Sequence, residues 1–80
     1  MRALVKNEKG CNTVVELIEI EFNQTIKFKN SKVSGLYLLT DNKDLMFIPN
    51  VEQSKVDFLL KELLTNGYID LVHLGTCYYS

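Results

Sequence analysis

Between Thr13 and Phe22 the chain alternates, with Ile18, Ile20 and Phe22 on one side and Glu19 and Glu21 on the other. A period of two is that of a half-buried strand. Val15 and Leu17 are apolar on the opposite phase, so the pattern predicts a bulge or strong bend near Glu16. The alternation resumes after Asn23-Gln24-Thr25 as Ile26-Lys27-Phe28-Lys29. With those three residues as a loop, Phe22 falls opposite Ile26, Glu21 opposite Lys27, Ile20 opposite Phe28 and Glu19 opposite Lys29. A hairpin is therefore expected, its wet face made of matched charges, each pair contributing about 0.2–1 kcal/mol.

The remaining elements follow from the same reading. Residues 2 to 6 predict a short strand closed by the turn-rich "NEKG". After a break at "SKVSG", "LYLLT", "DNKD" and "LMFI" predict a second hairpin that Pro49 ends. This hairpin is apolar on both faces, as expected of strands covered on both sides. Asn50, with Gln53 three residues on and Glu52 in the first turn, predicts the start of a helix. Its apolar stripe is Val56, Leu59, Leu60, Leu63 and Leu64, and Gly67 after Asn66 is its stop. Phe58 falls opposite that stripe, beside Val51, Lys61 and Glu62. "YIDLVHL" predicts a last strand, followed by Gly75 and the tail "TCYYS". The order βββββαβ predicts one α+β domain over residues 1–80: a curved, mainly antiparallel sheet of five or six strands, or a partly open barrel, against one C-terminal helix.

Composition narrows the function classes. A net charge of −1 lacks the basic excess of a chain that lives on phosphate contacts. The chain has no run of about 20 apolar residues, and "MRALVKNEKG" is too weakly apolar for a secretion signal, so a cytoplasmic protein with no membrane partner is expected. One arginine and one alanine against seven asparagines and eight lysines resemble the residue usage of an AT-rich genome, such as that of a low-GC bacterium, a mobile element or a phage.

Candidate chemistry is sparse. His73 and Cys77 could form a nucleophilic pair only if Gly75 turned the chain between them. The soft metal ligands are three, Cys11, His73 and Cys77, one short of a structural zinc set, and Asp41, Asn42 and Asp44 lack the glycine and glutamate of a calcium loop. No glycine-rich phosphate loop or serine elbow is present. The sequence thus indicates no catalytic residue, cofactor or metal. What it does indicate is surplus apolar surface. One helix covers one face of a sheet, while the second hairpin is apolar on both, so the sheet must close on itself or another protein must cover it.

The expectation is a non-enzymatic protein-interaction or regulatory module that self-associates or binds a protein partner, with Phe58, Tyr37, Phe47, Tyr78 and Tyr79 as interface residues. The alternative is a nucleic-acid binder using an edge that gathers Lys6, Lys9, Lys27, Lys29 and Lys32. Against it, Phe22 and Phe28 fall on the face opposite Lys27 and Lys29, where they could not stack on bases held by those lysines.

Overall fold

The computed structural model describes residues 1–79. The order is β1 (Arg2–Lys6), β2 (Asn12–Phe28), β3 (Ser31–Thr40), β4 (Leu45–Pro49), α1 (Gln53–Asn66), β5 (Tyr68–Asp70), a 3-10 turn (Val72–Leu74) and β6 (Tyr78–Tyr79). The six strands form one curled sheet in the order β5-β1-β2-β3-β4-β6, antiparallel except for β1 beside β5. This half-barrel with one helix is the α+β architecture that the pattern predicts.

The main departure lies in β2. Asn23-Gln24-Thr25 is not a hairpin loop but a bulge inside a single 17-residue strand, and the turn falls at Lys29-Asn30. Both turn residues have positive φ, 49° and 66°, which gives the primed two-residue turn whose twist matches a hairpin. Asparagine tolerates that conformation better than most residues. The Asn23 side chain supports the bulge, its Oδ1 accepting from the Thr25 N–H and Oγ1, both at 2.9 Å. The expected Glu–Lys pairs therefore do not form: Glu21 stands opposite Tyr37, Glu19 opposite Leu39, and Lys27 opposite Lys32. "SKVSG" is likewise no break but the first half of β3.

Two register irregularities divide β2 into three segments, because one extra residue turns every later side chain to the other face. Leu17 pairs with Thr40 and Glu19 with Leu39, so the expected bulge exists, two residues on from Glu16, at Ile18. Asn23 pairs with Gly35 and Ile26 with Val33, which places the second bulge at Gln24-Thr25. Val15 and Leu17, then Ile20 and Phe22, face the core. Ile26 and Phe28 face the opposite side. Beyond Leu17, β2 has β3 on one side and, among the described residues, no strand on the other.

The core lies between the sheet and α1 and joins Ala3, Val5, Leu36, Leu38, Met46 and Ile48 to Val56, Leu59, Leu63, Ile69 and Leu71. The helix starts at Gln53, not at Asn50, and Glu52 at its N-cap makes no side-chain capping bond. Asn50 instead adopts φ 63°, and the buried Val51 donates its N–H to the Ser34 carbonyl at 3.0 Å, which prolongs the β3–β4 pairing beyond Pro49. Gly67 caps the C-terminus as expected, at φ 67°, with its N–H on the Leu63 carbonyl at 2.7 Å. Leu64 does not join the stripe and is 85% exposed, because three buried side chains one turn apart already fill the contact with the sheet.

Nor is "YIDLVHL" one strand. Its first three residues pair with β1, then the Asp70 carboxylate accepts the Val72 N–H at 3.0 Å and turns the chain. The tail then returns along the sheet. Thr76 bridges to Lys6, Cys77 is buried, and Tyr78 and Tyr79 pair with β4. Ser80 lies outside the described residues.

Candidate interaction surface

Residues directly opposite one another on neighbouring strands share a face. The register therefore defines rungs on the side of the sheet away from α1. One is Glu19, Leu39 and Leu45; the next is Glu21, Tyr37, Phe47 and Tyr78; the third is Asn23, Gly35 and Pro49. The first rung, the Glu21–Tyr37 half of the second and Asn23 line an open groove of about 350 Å³, with Tyr37, Leu39 and Leu45 as floor and Glu19 and Glu21 as wall.

Beside the groove the rings gather. Tyr37 packs on Phe47 with ring centroids 6.3 Å apart, and Phe47 on Tyr78 at 5.8 Å. Phe28, brought over by the curl of the β2–β3 hairpin, lies 5.7 Å from Phe47 edge-on and 5.0 Å from Tyr78. Such tilted contacts favour the ring quadrupoles. Lys29 Nζ sits 5.2 Å above the Phe28 ring, a cation–π contact. Closure of the sheet thus covers part of the second hairpin's outer face. Cover is incomplete: Tyr37, Leu39 and Phe47 are half-buried, and Leu45 is 42% exposed.

Of the five interface residues expected from sequence, the fold brings Tyr37, Phe47 and Tyr78 together. Phe58 stands on the outer side of α1, 64% exposed and remote from that cluster. Tyr79 opposes Met46 on the other side of β4 and β6. Glu19, Glu21 and Phe28 belong to the surface but escape a sequence reading that pairs them within their own hairpin. Their signal is Ile26 and Phe28 keeping the even phase of Ile20 and Phe22, which only an odd-length insertion can reconcile with Gly35 in mid-strand.

Electrostatically the face is unbalanced. The ion pairs among the described residues are Met1 amino and Arg2 with Glu16, both 3.4 Å, so Glu19 and Glu21 have no cationic partner. The five lysines do not gather. Lys6 ends β1 opposite Asn12 at the start of β2 and Lys9 lies in the loop between the two strands, whereas Lys27, Lys29 and Lys32 lie at the far end of β2.

The other sequence candidates separate as well. His73 is exposed in the 3-10 turn, whereas Cys77 is buried. Burial, and secondarily the nearby Glu8 charge, pushes the Cys77 thiol up to about 12. A thiol held protonated at neutral pH is a poor nucleophile. Cys11 is free and exposed. No three metal-ligating side chains converge, and no helix is long and apolar enough to cross a membrane, among the described residues. Compared with family models, curated proteins and solved structures, the chain matches none.

Proposed function

We propose that this chain acts by binding protein rather than by catalysis, through the outer face of β2, β3 and β4. The observation that carries the reading is the groove itself: an apolar floor of Tyr37, Leu39 and Leu45 walled by two carboxylates that pair with no cation among the described residues. A floor of this kind rewards aliphatic or aromatic groups, and its wall selects those accompanied by lysine or arginine. Aromatic rings held rigid by their neighbours lose little entropy on docking. Nucleic-acid binding has less support, since the lysines divide between two ends of β2 and Phe28 is engaged with Phe47 and Tyr78.

The test is selection of a random peptide library on the chain immobilised sparsely enough to be monomeric. Peptides combining basic and apolar residues should be enriched, and their binding should fall about tenfold or more on Glu21→Lys or Leu45→Lys. Peptides insensitive to both substitutions, or no enrichment, would sink the reading. Sensitivity to Phe58→Ala would move the docking surface to the helix.

A further inference from the structure

The outer face carries charge of opposite sign at its two ends. Glu19 and Glu21 wall the groove, the rings of Tyr37, Phe47, Phe28 and Tyr78 occupy the middle, and Lys29 lies over Phe28 beyond them. The sequence of residues 19 to 29 is self-complementary, glutamates before and lysines after Asn23-Gln24-Thr25, yet the fold does not bring these charges together. Among the described residues neither Glu19 nor Glu21 pairs with Lys27 or Lys29.

A second copy supplies what one chain lacks. We infer that the chain forms a two-fold symmetric dimer in which outer faces stack near the Tyr37–Phe47 pair, setting Lys29 of each copy against Glu19 and Glu21 of the other. This deepens the protein-binding reading, on which it rests, by naming the partner. Under a two-fold rotation the acidic end of one face meets the basic end of its partner, and each contact occurs twice. The aromatic middle then buries against itself and supplies the affinity. The charges, each exposed pair contributing little, set the orientation.

The experiment is a charge exchange followed by sedimentation or light scattering over a concentration series. The wild-type chain should be a concentration-dependent dimer. Glu19→Lys/Glu21→Lys makes both ends of the face positive, and Lys29→Glu removes its positive end, so each variant alone should dissociate about tenfold or more readily. Mixed in equal amounts they should recover a heterodimer, identified by mass in native spectrometry. The positions are exposed, and far-ultraviolet dichroism should confirm that both variants are folded. A wild-type monomer at its highest soluble concentration overturns the dimer, as do variants that stay dimeric or a mixture that recovers nothing. A monomer that still enriches basic-apolar peptides loses the dimer and keeps the protein-binding reading; one that enriches none loses both.

Discussion

The Ile26 side chain occupies the space above Gly35 that a Cβ at position 35 would need. Such a Cβ would also lie 2.7 Å from the Ile48 carbonyl oxygen, which belongs to the backbone and cannot swing aside. The contact exists because the Gln24-Thr25 bulge turns Ile26 to the outer face, and it anchors the hairpin that carries Phe28 across to Phe47 and Tyr78. Gly35→Ala should therefore destabilise the chain by about 1–3 kcal/mol, the usual cost of overpacking. Urea denaturation measures it, and an unchanged midpoint would show that Ile26 is not fixed there.

Asn23 holds the bulge with two side-chain hydrogen bonds, so Asn23→Ala should cost about 1 kcal/mol. Phe28→Ala should cost about 2 kcal/mol, less than a fully buried phenylalanine because the ring is only half-buried. A hairpin with its loop at residues 23–25 would instead place Phe28 beside Ile20, where its loss would not disturb Tyr78. Nuclear magnetic resonance shifts of the Tyr78 ring protons on Phe28→Ala distinguish the two arrangements.

Neighbouring helix residues should differ sharply. Leu63 is buried against the sheet, so Leu63→Ala should cost about 2–5 kcal/mol. Leu64, at 85% exposure, and Phe58, at 64%, should each change stability by no more than about 0.5 kcal/mol on substitution by alanine. Thermal unfolding of the three variants checks the rotation of α1 about its axis.

Cys77 makes stability fall in alkali. Its folded pKa, about 12, lies above the ordinary 9.0, so the folded state holds the proton more tightly. The contribution is complete below pH 9 and diminishes by about 1.4 kcal/mol per pH unit between 9 and 12. Cys77→Val should flatten that part of the profile in denaturant titrations at successive pH values. At pH 8 a thiol reagent should modify Cys11 promptly and Cys77 only on unfolding.

The sheet, its single helix and the second hairpin are legible in the sequence because each has one unambiguous local pattern. Leu36 to Leu39 and Leu45 to Ile48 are apolar throughout, and Gly67 can only be a stop. The rest of β2 is not legible, because its apolar residues fit two arrangements equally well. A loop at Asn23-Gln24-Thr25 gives matched charges locally; a bulge there gives Phe28 two ring neighbours, Phe47 and Tyr78, that lie far along the chain. Tertiary packing decides between them, and a local pattern cannot weigh it. The candidate surface followed the same course: Tyr37, Phe47 and Tyr78 were recognisable as aromatic, but Glu19 and Glu21 read as spoken for. At the tail, Tyr78 and Tyr79 join the sheet only because Asp70 and Gly75 turn the chain back across it.

With two extra residues placed at Ile18 and at Gln24-Thr25, β2 works as a ruler whose graduations are residue counts. Its side chains can be exchanged one at a time with local effect. Removing or adding a single residue between Leu17 and Ile26 would turn everything downstream over, presenting Ile26 and Phe28 to the helix side and Lys27 to the rings. Divergence along this segment should accordingly proceed by replacement at constant length, with insertions and deletions confined to the turns at either end.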